Sequence, residues 1–383
     1  MLSKVKSCLL GKKVMAVLLS ICLNVVFSTS FLSAGYEMKI GNETSAKFGF
    51  KMQSWFQIAE DASPDGENYG TAFSIKTLRF YTNGQISPLT KFGANVDWSK
   101  GVWDGATAVS NTAILRDANI LFDFMPESKL MLGIYRTPFS RIALQDSFGY
   151  IFPHSPDIAG GTYIGDTGDF RNFGLTFWGE LPGQKIKYSA GLFDGDSNPI
   201  GTTTDNDTPF YSARISISPW DFEKGYTNLG SYLGKNKILT VGAGYLSGKY
   251  KTGVLSPVYT AWTIDVFTEH SLYHGTITGE AAYFNYDRDI ANGNTAGWYG
   301  FVGYLLSDIN IQPAVRFEKS NRDGTVTDGE DFQKWSSVIN WYLKGHDSKI
   351  QIECARKYYD TEGILPRTNM DYSDITAAFQ IQF

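Results

Sequence analysis

Three arginines frame one long stretch of the chain. Arg136 precedes it, Arg141 lies within it and Arg171 follows it, and residues 138–168 also carry Asp146, Asp157 and Asp166 but no lysine. Groups of this kind handle small ions: Arg or Lys along an aqueous route favours anions, and Asp or Glu favours cations. Further charges recur at alternate positions of short segments, where period two places them on one face. They are Arg214 (with Ser212 and Ser216 beside it), Arg316, Asp117 and Asp123, and, on the same faces, Lys334, Lys357, Asp97, Asp265, Glu318, Glu353 and Asp374. Facing rows of both signs would set up a transverse field across a pore. The plainer alternative is that these groups pair within a wall and meet no solute. Phe139, Tyr150, Phe152 and Tyr163 would narrow such a route or, more simply, pack the long stretch against its surroundings.

Covalent and cofactor chemistry has no comparable support. No P-loop, HExxH or GxSxG sequence occurs, and no CxxCH that would attach haem. Gly242-Ala243-Gly244 lies in an alternating segment rather than before a helix. His270 and His274 have the i, i+4 spacing of metal ligands on a helix, but they flank an expected tight turn. Asp194-Gly195-Asp196-Ser197-Asn198 opens like a calcium loop, yet Pro199 stands where the sharp turn needs glycine. An acidic connection is the better reading there, at Asp287-Arg288-Asp289 and at 323–331. No catalytic, cofactor-binding or metal-ligating set is assigned, and the chain reads as a non-enzyme.

The elements that must carry these charges are strands. The chain has 57 aromatic residues, 39 glycines and only 13 prolines in 383 residues, which suits short strands and turns. A net charge of −5 gives no basic face for nucleic acid. Polar and apolar residues alternate at 46–58, 72–83, 90–99, 112–125, 128–137, 169–181, 184–194, 209–219, 236–248, 257–268, 272–285, 296–306, 309–319, 331–343, 348–358 and 372–383. Connections after the odd segments are long and those after the even ones short, with 220–235 as the exception. A soluble sandwich also alternates, but here nearly every segment has one face of Asp, Asn, Gln, Lys, Arg or Thr. Trp55, Trp98, Trp178, Trp262 and Trp341 stand near segment ends, as interfacial girdles do. The expected fold is all-β: a transmembrane antiparallel β-barrel of about 16 strands, with short periplasmic turns and long external loops.

The first 34 residues are different in kind. Lys4, Lys6, Lys12 and Lys13 precede an apolar run from Val14 to Phe27, then small residues up to Ala34. This is an export signal, too short in its apolar part for a span. Residues 35–383 then form the barrel, with 30 basic and 39 acidic residues and Cys354 as the lone cysteine.

Several segments resemble the phosphate-selective porin O and P family of bacterial outer membranes. Leu115-Arg116-Asp117-Ala118-Asn119 is similar to that family's LRDAY, and Leu132-Gly133-Ile134-Tyr135-Arg136-Thr137-Pro138-Phe139-Ser140 to its VGQFKTPFS. Arg171-Asn172-Phe173-Gly174-Leu175, Ala190-Gly191-Leu192-Phe193-Asp194-Gly195, Gln312-Pro313-Ala314-Val315-Arg316-Phe317 and the terminal Phe379-Gln380-Ile381-Gln382-Phe383 follow in the family's order. The resemblance implies a sixteen-stranded trimer whose third external loop, 138–168, folds into the channel as a constriction. It also implies insertion by the barrel-assembly machinery through the Phe383 segment. In phosphate-specific members arginines and a lysine cluster pass the anion stepwise, and the lack of lysine in 138–168 departs from that pattern.

The resulting expectation is an outer-membrane porin, a passive diffusion channel for small hydrophilic solutes and ions, with anions such as phosphate among them. Its surroundings would be outer-membrane lipid and lipopolysaccharide. Arg136, Arg141, Arg171, Arg214, Arg316, Asp117, Asp123 and Asp146 are the pore-lining and selectivity candidates. The rival is a structural sleeve around a multihaem cytochrome in an electron conduit. A membrane lipase would need a Ser–His pair on the lipid side, and His154, His270, His274 and His346 all fall in connections or near strand ends.

Overall fold

The computed structural model describes residues 35–63, 68–99, 113–160, 170–183, 185–194, 209–249, 258–287, 294–322, 331–359 and 371–383. Residues 1–34, expected to be an export signal, Tyr163, Asp166, Asp169 and most of the acidic connections at 194–199, 287–289 and 323–331 lie outside them. The strands are β1 (Tyr36–Lys39), β2 (Ser45–Ala59), β3 (Gly70–Gln85), β4 (Thr90–Asp97), β5 (Ile114–Met125), β6 (Ser128–Arg136), β7 (Arg171–Glu180), β8 (Ile186–Asp194) and β9 (Phe210–Ile217), then β10 (Ile238–Lys249), β11 (Val258–Leu272), β12 (Gly275–Asp287), β13 (Thr295–Leu306), β14 (Ile311–Arg322), β15 (Phe332–Lys344), β16 (Ser348–Tyr359) and β17 (Tyr372–Gln382).

Each strand from β2 to β17 pairs antiparallel with its chain neighbour, and β17 pairs back onto β2, which closes the wall. All sixteen alternating segments of the sequence are strands. β1 is an addition that four residues of alternation do not announce. It pairs with Ser45–Phe48 of β2, just beyond the point where Phe383 and Phe50 exchange two backbone hydrogen bonds of 3.0 and 2.9 Å. β1 and the end of β17 therefore share one position, and the wall is a closed barrel of sixteen.

The wall is inverted relative to a soluble core. On β9, Ser212, Arg214 and Ser216 are buried while Tyr211, Ile215 and Ile217 are exposed; on β11, Thr263, Asp265 and Glu269 are buried while Trp262, Ile264 and Val266 are exposed. Period two forces this choice, because one face must meet lipid and the other the lumen. A charge moved to the lipid face near the bilayer centre would cost about 2–4 kcal/mol. Among the described residues no helix is long and apolar enough to cross a membrane, which leaves the spanning to strands.

Two tryptophans correct the girdle expectation. Trp98, Trp262 and Trp341 are exposed, but Trp55 and Trp178 are buried. Trp55 packs on His154 with ring centroids 4.6 Å apart, and Trp178 packs on Tyr226 at 5.4 Å. Both point inward because the interior is not all water: two connections enter it and bring apolar surface. The first runs from β6 through 3₁₀ turns at Ile142–Leu144 and Ser147–Gly149 to a helical turn at Asp157–Gly160. The second, 218–237, comes from the opposite, short-turn end. The two meet where Asn228 N–H donates to Leu144 O (2.9 Å) and Asp146 N–H to Asn228 O (2.9 Å). The length of 218–237, the exception to the short turns, is explained by this inward course.

Candidate permeation channel

The inward course of 137–160 follows from side chains that wait for it on the wall. Arg141 is fully buried. Its Nη2 donates to Glu223 Oε1 (2.5 Å) and to Leu229 O (2.7 Å), its Nε to Glu223 Oε2 (3.3 Å), and its Nη1 to Glu280 of β12. The guanidinium also lies 3.5 Å from the ring centre of Phe267. Glu280 accepts further from Gln145 Nε2 (2.6 Å) and Tyr299 Oη (2.5 Å). Burial raises the Glu223 carboxyl, but the Arg141 charge and hydrogen bonds outweigh that and hold it below the usual range.

Two other predicted arginines are engaged in the same way. Arg214 forms a two-pronged pair with Asp265 (2.7 and 2.7 Å) and donates to Phe139 O (3.1 Å). Arg316 donates to His154 O (2.7 Å), lies over the Phe152 ring (4.5 Å) and pairs with Glu318 and Glu353 at 3.4 and 3.5 Å. Asp157 receives Lys334 and Lys357, both at 2.9 Å. Burial opposes ionisation of Asp157, yet the two ammonium groups keep its carboxyl well below the usual range. Phe139 and Phe152 are buried, so they pack the segment rather than face a route. Gly244 of β10 permits the approach: a Cβ there would stand 1.9 Å from Phe139 O. Gly244 thus serves a backbone contact, while Gly242 leaves room for the Arg214 and Asp265 side chains.

With the segment fixed to β9–β16, the open space lies against β2–β7. A cavity of about 410 Å³ faces outward on the lipid side, but the polar one, about 620 Å³, is inside this part of the wall. Its cations are Lys47, Lys51, Arg79, Arg136 and Arg171, and its aspartates Asp117, Asp146 and Asp347; Asn83, Asn95, Asn119, Tyr81, Tyr135, Tyr226, Thr227 and Gln382 complete the polar lining. Arg171 binds Asp117 through Nε and Nη2 (2.8 and 3.1 Å). Lys51 binds Asp146 at 2.6 Å, and Arg136 Nη1 donates to Ala143 O at 2.8 Å. Burial raises the Asp146 carboxyl, but the Lys51 charge and hydrogen bond and the Phe148 N–H more than offset it, so it stays anionic.

The eight predicted residues therefore divide. Arg136, Arg171, Asp117 and Asp146 come together on the cavity. Arg141, which belongs to the docked segment, and Arg214 and Arg316 beneath that segment do not line the cavity. Asp123 pairs with Lys91 and with Lys129 (3.6 Å), away from the cavity. Lys47, Lys51, Arg79 and Asp347 were missing from the sequence set. Parity with Gln53 on β2 marks Lys51 as lumenal, whereas Asp347 sits in a short turn where periodicity is silent.

No protein-family model and no curated protein sequence matches the chain. Solved structures do. The chain is similar to an anion-selective porin from Comamonas acidovorans, at 11% identity over 89% of this chain and 100% of that one, TM-score 0.61. It is similar to the trimer form of in-vitro folded OmpT, an outer membrane protein of Vibrio cholerae, at 11% identity over 89% and 100%, TM-score 0.55. It is also similar to the outer membrane channel DcaP of Acinetobacter baumannii, at 16% identity over 92% and 100%, TM-score 0.57. At such identities the shared property is the fold: the barrel is that of outer-membrane porins.

Proposed function

We propose that the chain is an outer-membrane porin through which small hydrophilic solutes diffuse down their gradients, without catalysis. One observation carries this: a lipid-compatible wall encloses a polar cavity that the inward segment leaves open on one side. The route follows β2–β7, past Arg136, Arg171, Asp117 and Asp146, and residues 137–160 act as its constriction. Five cations against three aspartates support a modest anion preference, as does the likeness to a porin described as anion-selective. Phosphate is the anion to try first, on the resemblance to the phosphate-selective family. However, most of the cations are already held by carboxylates or carbonyls, which favours weak binding over a cage. Export by residues 1–34, trimer formation, contact with lipopolysaccharide and insertion through the Phe383 segment belong to the same reading. The sleeve is disfavoured because 137–160 and 218–237 occupy the bore that a cytochrome would need.

The test is single-channel recording in a planar bilayer, with reversal potential under a KCl gradient and then with phosphate added. Stepwise currents with a reversal potential on the anion side are expected. Folded barrels without conductance would overturn the porin reading. Block of chloride current at sub-millimolar phosphate would place the chain with phosphate-specific channels, and weak inhibition only above millimolar would make it a general porin.

A further inference from the structure

One row of the wall around the polar cavity has polar groups without partners. Lys47 of β2, Asn83 of β3, Gly93 of β4 and Asn119 of β5 are successive partners across three strand pairs, so neighbouring backbones stand about 4.8 Å apart. Period two turns all four inward, in step with Lys51, Tyr81, Asn95 and Asp117, and all four line the cavity. Other cations there are engaged: Lys51 by Asp146 (2.6 Å), Arg79 by Asp97 (2.8 Å) and Arg171 by Asp117 (2.8 Å). Among the described residues the side chains of Lys47, Asn83 and Asn119 make no hydrogen bond or ion pair.

Gly93 makes a floor between the two amides. A Cβ there would stand 3.0 Å from Asn83 Oδ1 and 3.4 Å from Asn119 Oδ1, so both carboxamides lean over bare backbone, close enough for one sugar ring to touch both. A carboxamide offers donors and an acceptor, and so does a hydroxyl, which makes each a match for the other. An ammonium without a carboxylate beside it takes one negative charge. A bare ion would use the ammonium and leave both amides idle, and a neutral sugar would leave the ammonium idle. The row lies two residues beyond Asp117 toward the short-turn end, about 7 Å along the strand. A solute entering from the long-loop end therefore meets it after the Arg171–Asp117 pair.

We propose that this row is a weak binding site for a sugar acid, a monosaccharide that carries one carboxylate. Lys47 takes the carboxylate, Asn83 and Asn119 take ring hydroxyls, and the ring lies over Gly93. One free cation in the row matches a single negative charge, which sets a carboxylate ahead of a dianion. The inference deepens the porin reading and rests on it.

The test measures KCl current through the full chain in planar bilayers, corrected for bulk conductivity, with sodium glucuronate, glucose and sodium acetate as probes. Glucuronate carries both features, glucose only the hydroxyls and acetate only the charge. Glucuronate should half-block the current at a concentration about tenfold below either of the others. Lys47→Gln should raise the glucuronate value about fivefold and leave glucose unchanged. Asn83→Ala and Asn119→Ala should each raise glucuronate and glucose about fivefold and leave acetate unchanged. Gly93→Val should weaken glucuronate by filling the floor, with all three side chains kept. Heat-modifiable mobility on gels verifies that each variant is folded. Saturation-transfer NMR on the barrel in detergent repeats the three-way comparison without current. Acetate or glucose as effective as glucuronate, or glucuronate values unmoved by Lys47→Gln and Asn119→Ala, would overturn the site, and a conducting barrel would keep the porin reading. A barrel that passes no current yet prefers glucuronate by NMR would sink the porin reading and leave the site standing.

Discussion

Replacing Arg141 with Met tests whether the inward segment is held by charge. The side chain is fully buried and makes hydrogen bonds to two carboxylates and one carbonyl. Met keeps most of the volume and leaves Glu223 and Glu280 without their cation. Removing one partner of a buried pair costs about 3–5 kcal/mol, which shifts the docked-to-undocked ratio by about 10²–10³ or more. The loss is local. Arg214, Arg316 and the Asp157 lysines still hold both ends of the segment, so only its middle, around 140–150, is released. Single-channel recordings should then show excursions to a larger conductance, and limited proteolysis should cut at 140–150 and 222–229. Adding Glu223→Gln and Glu280→Gln should restore most of the docking, because the damage lies in the uncompensated carboxylates. The reasoning is refuted if Arg141→Met records and digests like the parent, or if the triple variant is as disturbed as the single one.

Four other outcomes are expected. Asp146→Asn leaves Lys51 without its counter-charge beside the cavity, so the reversal potential should move toward the anion limit, more so at low salt. Gly244→Ala places a methyl against Phe139 O, at a cost of about 1–3 kcal/mol; conductance should become noisier while the barrel still resists heat. His346, in the turn between β15 and β16, is pushed down to about 4 by burial and the nearby Lys349 charge. Its folded value lies below its unfolded one, so its contribution is complete above about pH 6.5 and declines as pH falls toward 4. Hydrogen exchange in 218–237, whose Ser231 carbonyl accepts from His346 Nε2 (2.8 Å), should accelerate over that window, and His346→Gln should abolish the change. Asp157 is depressed in the folded state, so its contact is complete above the ordinary aspartate value near 3.9 and weakens only as pH falls below it. A loop that loosens between pH 6 and 5 in a His346→Gln background would contradict this.

Much of the wall was legible because period two is a local signal. The lumenal face of β9 follows directly from Ser212, Arg214 and Ser216, and all sixteen alternating segments are strands. What the pattern could not supply was the filling of the barrel. Arg141 looked like a selectivity residue, since only the fold brings Glu223 and Glu280, 82 and 139 residues away, to its sides. Trp55 and Trp178 looked like girdle residues because an aromatic at a strand end fits either face, and the inward segments decide which. β1 is too short for periodicity and exists only because β2 has an unpaired edge beyond Phe383.

That shared position has a topological consequence. β1 and β17 run the same way along β2, with Tyr36 opposite Phe48 and Phe383 opposite Phe50, so that only Gly49 of β2 lies between them. The barrel is thus a circle of strands cut once, within a strand rather than at a connection. Joining residue 383 to residue 35 and reopening the chain at the Tyr273–His274 turn would keep every strand pairing while changing which hairpin comes first along the chain. Such a circular permutant separates the finished barrel from its order of assembly: the first is fixed by pairing, the second only by where the circle is cut.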